Sequence, residues 1–180
     1  MSNRTVNDVV ADDVALREQV LAPYREHCKY LRSISVRSEE DSVVATGEFS
    51  VGESYYIDST GHFNAVEYNI CYNQAAYYLI AQSIQHQLLP AFDGWTIDDF
   101  WARQLGDVLI VEFSTMFQQQ INPSGFTGEL TFGKSWEQPA TPTSPPLVAI
   151  ETKCRFWDET GGKCQGRALL AVTNPPKQAR

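Results

Sequence analysis

FNAVEYNICYNQAAYYLIAQSIQHQL, residues 63–88, holds the longest helical pattern in the chain. Val66, Ile70, Asn73, Tyr77, Ile80, Ile84 and Leu88 recur at steps of three or four, which predicts a helix over 65–88. At 1.5 Å per residue such a helix is about 36 Å long. Cys71, Ala75, Ala76, Tyr78, Leu79 and Ala81 lie off that stripe and are also apolar or aromatic. A helix apolar around most of its circumference is a buried helix, so the rest of the chain must wrap it. Its start is well marked. Asn64 has the position of a cap, Glu67 that of the reciprocal capping-box residue, and Phe63 with Tyr68 the spacing of a hydrophobic staple. Pro90 and the FDGW turn close the segment.

Outward from this helix the patterns change. Residues 12–22 read as a short helix ended by Pro23, and 96–104 as another, with Thr96 as its cap. Residues 27–37 and 42–51 alternate around the polar turn SEED and read as a hairpin. Residues 107–119, 126–137, 147–157 and 163–173 read as strands. QPATPTSPP (138–146), with its four prolines, is a rigid hairpin loop between two of them. Two strands, one long buried helix and four more strands make an α+β order. A curved antiparallel sheet around that helix, the hot-dog architecture, satisfies it in one domain over 1–180 with its core at about 14–175. Such a sheet leaves edges to be managed, so a homodimer or larger homo-oligomer is expected.

Composition narrows the function. The 180 residues are 43% hydrophobic and 20% charged, as an ordinary globular domain is. No apolar run approaches the roughly 20 residues of a membrane span. The first 20 residues have no apolar core of a secretory signal, so a cytoplasmic location is expected. Net charge is −8, with no basic stripe for nucleic acid. The charge is segregated. Residues 1–133 carry 7 basic and 18 acidic side chains; residues 134–180 carry 7 basic and 4 acidic. Lys153, Arg155, Lys163 and Arg167 form either a patch for a phosphate-bearing or acidic partner or a solvated mixed surface. Cys28, Cys71, Cys154 and Cys164 show no CxxC spacing and read as reduced, mostly buried thiols. No metal-ligand spacing, GxGxxG or P-loop occurs, so no metal and no cofactor is expected.

The densest polar cluster is 53–64: Glu53, Tyr55, Tyr56, Asp58, Ser59, Thr60, His62 and Asn64. It runs into the start of the long helix, where unpaired N–H groups and the positive dipole end can polarise a carbonyl oxygen. That suits acyl thioester chemistry. His62 has the intrinsic pKa of a general base, or is a hydrogen-bonded turn residue. Asn64 is a cap, and its amide can also face substrate. Asn73 interrupts the apolar stripe, where a buried amide either serves the site or bonds a strand carbonyl. Tyr24 and Tyr56 are packing or site residues. Ser59, His62 and Asp58 lack a nucleophile-elbow GxSxG, which argues against a serine triad. His27 and His86 read as surface positions.

GESYYIDSTGHFNAVEYNICYNQAAYYL (52–79) resembles the FcoT-like thioesterase family, as do LAPYREHCKYL (21–31), TGEFSVGES (46–54) and FWDETGGKCQG (156–166). The likeness runs from about residue 14 to 175. It implies a hot-dog fold and site residues at Tyr24, Tyr56, Asn64 and Asn73, to which His62 is added from the same motif. It also implies a divided chemistry. Some members are described as long-chain fatty acyl-CoA thioesterases. Others, in isonitrile lipopeptide and β-amino-acid polyketide pathways, add glycine to an α,β-unsaturated acyl thioester. The partners so implied are glycine and an acyl carrier protein or coenzyme A thioester. Hydrolysis wants a carboxylate beside the thioester. The helix stripe has none, and Glu67 is committed to the cap, so conjugate addition is the leading expectation and thioester hydrolysis the alternative. A hot-dog that only binds acyl chains is a third.

Overall fold

The computed structural model describes residues 9–54, 57–58 and 60–176. Tyr55, Tyr56 and Ser59 lie outside the described residues. The order of elements is β1 (Val9–Val10), α1 (Val14–Leu21), β2 (Leu31–Ser38), β3 (Val43–Phe49), α2 (Ala65–Gln85), α3 (Ile97–Trp101), β4 (Val108–Gln119), β5 (Phe126–Gln138), β6 (Leu147–Trp157) and β7 (Lys163–Thr173). Among the described residues the strands form one antiparallel sheet, ordered β1-β2-β3-β5-β6-β7-β4. The α+β hot-dog arrangement expected from the sequence is therefore present, with α2 as the wrapped helix. Among the described residues no helix is long and apolar enough to cross a membrane.

Most elements match their sequence patterns, and the two C-terminal strands match residue for residue. Three differences have physical causes. The pair Val9–Val10 joins the sheet against Val36 and Arg37, a bridge too short for an alternating pattern to announce. The segment 26–28 is a single 3-10 turn, so β2 begins only at Leu31. Finally, α2 stops at Gln85 because Gln87 takes a left-handed conformation, φ 50°, that a helix cannot continue through.

The burial of α2 also departs from the reading of its stripe. Tyr68, Cys71, Tyr72, Ala75 and Leu79 are the residues pressed against the sheet and buried. The first half of the predicted stripe lies on the less covered side: Val66 is 43% exposed, and Ile70, Asn73 and Tyr77 are half-buried. The tyrosine hydroxyls on the covered side are paired, whereas Gln82 Oε1 and Ser83 Oγ are buried without a partner among the described residues. Tyr68 donates to the Cys154 carbonyl at 2.9 Å. The Thr152 hydroxyl donates to the Ala168 carbonyl at 3.0 Å, so at 2.8 Å it must accept from the Tyr72 hydroxyl. The end of the core nearest the helix start is aromatic: Phe49, Phe63, Tyr68, Phe126 and Phe156 stack or meet edge to face at 4.5–6.2 Å. Gly128 makes room for it, since a Cβ there would come within 2.6 Å of the Phe49 and Phe156 rings.

Candidate functional site

The head of α2 is built by its cap. Asn64 Oδ1 accepts from the Val66 N–H at 2.9 Å and the Glu67 N–H at 3.4 Å. Glu67 returns the bond, its Oε2 accepting from the Asn64 N–H at 3.0 Å, and its Oε1 accepts from the Ser54 hydroxyl at 2.7 Å. The staple is present as well, with the Phe63 and Tyr68 rings 6.2 Å apart. Two consequences bear on chemistry. Glu67 is buried with both oxygens engaged, so it is not a free base for water. Two helix N–H groups are taken by the cap, so the donor that remains on Asn64 is its own amide nitrogen. Nδ2 is buried and has no hydrogen-bond partner among the described residues. An unpaired buried N–H costs about 1–3 kcal/mol, and a bound acceptor would recover it.

His62 precedes this cap by two residues. Its Nδ1 lies 3.1 Å from the Thr60 carbonyl, and a carbonyl only accepts. Nδ1 therefore carries the hydrogen and Nε2 is left as the basic nitrogen. The Thr60 hydroxyl donates to the His62 carbonyl at 2.9 Å, and the Phe63 N–H donates to the Ile121 carbonyl at 3.1 Å, so the loop is tied at both ends. His62, Asn64 and Phe117–Gln120 line a cavity of about 400 Å³. His62 and Asn64 thus border one cavity, with Asn64 Nδ2 enclosed beneath its surface.

Tyr24 and Asn73 do not line it. Asn73 is nine residues along α2, about 14 Å from the cap. It is half-buried, not the fully buried amide expected, and it bonds within its own helix and not to a strand. Its Nδ2 donates to the Asn69 carbonyl at 3.0 Å and to Asn69 Oδ1 at 2.9 Å. Both hydrogens have acceptors, which fixes the amide's orientation and leaves Oδ1 as the acceptor on offer. Tyr24 packs against the core close to Tyr77 and Cys71 of α2. Burial, with smaller contributions from Tyr77 and Cys71, holds its phenol well above the ordinary tyrosine range, so it is a neutral O–H donor. Of the expected site residues, His62 and Asn64 thus border one cavity at the head of α2, while Asn73 lies farther along its less covered side and Tyr24 packs close to Tyr77 and Cys71. Asn69 was missed in the sequence; its i, i+4 spacing from Asn73 was the available signal. Tyr56 lies outside the described residues.

All four cysteines are buried free thiols. Burial raises the pKa of each, Cys164 to about 12, which suits core residues and not nucleophiles. Among the described residues no three His, Cys, Asp or Glu side chains are grouped to hold a metal. His27 and His86 are exposed.

A hot-dog domain with a polar cavity at the head of its wrapped helix is the class of protein that the fold and site define. The chain belongs to the FcoT-like thioesterase domain family, whose model matches residues 19–172. It is 48% identical over 164 residues to the "(2E)-enoyl-[ACP] glycyltransferase" of Streptomyces coeruleorubidus, covering 91% of this chain and 99% of that one. It is 37% identical over 174 residues to the protein of the same name from Mycobacterium marinum, covering 93% and 89%. Among solved structures, a thioesterase of Pseudomonas aeruginosa aligns with a TM-score of 0.41 and 9% identity, over 78% of this chain and 81% of that one.

Proposed function

We propose that this protein adds glycine by conjugate addition to a (2E)-enoyl thioester carried on an acyl carrier protein, giving an N-carboxymethyl-3-amino acyl thioester. Such a product belongs to specialised metabolism of the β-amino-acid or isonitrile-lipopeptide type. The observation that carries the reading is Asn64 Nδ2, a buried donor without a partner among the described residues, on a residue that borders the same cavity as His62. The high identity to named enoyl glycyltransferases supports it.

The chemistry follows from those groups. The thioester carbonyl accepts a hydrogen bond from the Asn64 amide, and His62 Nε2 removes a proton from the glycine ammonium. The freed amine attacks the β-carbon. A C–N bond forms, the C=C π bond breaks, and its electron pair moves through the α-carbon onto the carbonyl oxygen held by Asn64. The proton on His62 returns to the α-carbon as the carbonyl re-forms. Asn73 Oδ1, Tyr24 and Tyr56 serve to hold the glycine and orient it. The engagement of Glu67 in the cap supports addition over hydrolysis.

The protein acts as a single domain in the cytoplasm, where carrier-bound acyl groups are made. It also works as a homo-oligomer. β4 is an edge strand, and Leu109, Val111 and Met116 on it are exposed, so a second copy pairing there would remove an aggregation-prone edge.

Mass spectrometry of a medium-chain 2-enoyl thioester incubated with the protein, with and without glycine, tests the reading. Glycine-dependent mass gain on the acyl chain is expected. Release of free acid without adduct would make the protein a thioesterase. No turnover of either kind would leave an acyl-binding protein.

A further inference from the structure

Two cavities open on the outer face of the sheet, away from α2, of about 590 and 770 Å³. They share Ser114, Thr131, Lys153 and Arg167. Strand register explains why. Thr131 of β5 is opposite Lys153 of β6, Lys153 is opposite Arg167 of β7, and Arg167 is opposite Ser114 of β4. One row across four strands therefore reads hydroxyl, ammonium, guanidinium, hydroxyl.

That row is electrostatically costly as it stands. Directly opposed residues in an antiparallel pair sit about 5 Å apart, and like charges there are destabilising. Among the described residues neither Lys153 nor Arg167 forms an ion pair. The next cation, Arg155, is already matched by Glu129 at 2.9 Å. Gln165 lines the 590 Å³ cavity beside it. Glu112 and Glu151 belong to the neighbouring row and line only the larger cavity. In a chain of net charge −8, an unneutralised Lys–Arg pair flanked by hydroxyls has the chemistry of a phosphate site.

Its position gives the phosphate a purpose. Ser114 and Met116 of β4 line this cavity, and Phe117–Gln120 line the cavity of His62 and Asn64. From Ser114 to Gln119 is about 17 Å along the strand, at ~3.4 Å per residue. We propose that the Lys153–Arg167 row binds a phosphate group of the substrate's thioester carrier, whose pantetheine arm then rounds the end of β4 to the His62 cavity. This rests on the reading that the substrate is a carrier-bound thioester.

Calorimetric titration at low salt with coenzyme A, adenosine 3′,5′-bisphosphate and 4′-phosphopantetheine tests it without turnover. Saturable binding of at least one is expected, weakening as salt rises and falling at least tenfold in Lys153→Ala and in Arg167→Ala. Ser114→Ala should lose less, and Lys134→Ala, in the larger cavity alone, should bind as the parent does. Melting temperatures should hold or rise in the two cation variants, since a like-charge pair is relieved. Binding of phosphopantetheine marks the carrier arm as the source; binding of only the other two marks the nucleotide of coenzyme A. No saturable binding of any probe, or equal binding by the Lys153→Ala/Arg167→Ala double variant, overturns the site. The two readings fail separately. Binding without adduct formation would sink glycine addition alone, and adduct formation without binding would sink the phosphate site alone.

Discussion

Asn73 and Gln74 are neighbours on α2 and are treated in opposite ways. Gln74 faces inward with no exposure, and each polar atom is used. Its Oε1 accepts from the Tyr30 and Leu31 N–H groups at 3.0 Å, and its Nε2 donates to the Cys28 carbonyl at 2.6 Å. Asn73 faces the less covered side, and among the described residues its side chain bonds to Asn69 alone. On the sheet side of the first half of the helix Tyr68 and Tyr72 are tied to strand atoms. Among the described residues three buried polar atoms have no partner: Asn64 Nδ2 at the head of the helix, and Gln82 Oε1 and Ser83 Oγ near its other end. Of these, only Asn64 belongs to the residues that border the cavity of His62.

Substitutions on the two sides should therefore separate stability from activity. The largest effect is expected at Leu79, which is fully buried on the sheet side. Leu79→Ala should cost about 3 kcal/mol in chemical denaturation, with kcat of the folded protein within about twofold of the parent. Asn64 comes next. Asn64→Asp keeps a capping oxygen but loses the Nδ2 donor, so adduct formation should fall about 100-fold while stability stays within about 1 kcal/mol. An Asn64→Asp protein that is as fast as the parent would show the amide to be only a cap. A smaller effect belongs to Asn69. Asn69→Ala should raise the KM for glycine about tenfold with little change in kcat, and Asn69→Asp, which retains the acceptor oxygen, should restore it. A change in kcat alone would remove Asn69 from glycine positioning. The smallest effect tests closure of the sheet side. Burial, above all, raises the Cys71 thiol well above its ordinary range. Iodoacetamide at pH 8 should leave it unlabelled in the native protein and label it after unfolding; rapid native labelling would show that this face opens.

Much of this was legible in the sequence, for identifiable reasons. The cap, the staple and strands 147–157 and 163–173 rest on local patterns whose physics is complete within a dozen residues. The orientation of α2 was not legible. A stripe of Val66, Ile70, Asn73 and Tyr77 has helical spacing on either side of a helix, and only the sheet's position decides which side is covered. Asn69 was hidden for a related reason: its meaning depends on where Asn73 directs its hydrogens. The Lys153–Arg167 row required register, since residues 14 apart in sequence become opposite only when the hairpin is drawn.

The pairing of β3 with β5 carries a consequence in time. Val43 meets Phe132 and Phe49 meets Phe126, so the hairpin of β2 and β3 emerges from the ribosome some 80 residues before its partner. At about 5–20 residues per second that interval lasts several seconds. Throughout it one edge of the hairpin is open, and the apolar circumference of α2 has no sheet to close over it. A chain so ordered folds late and all at once, and its yield in a cell should depend on chaperones that shield the first half until the second arrives.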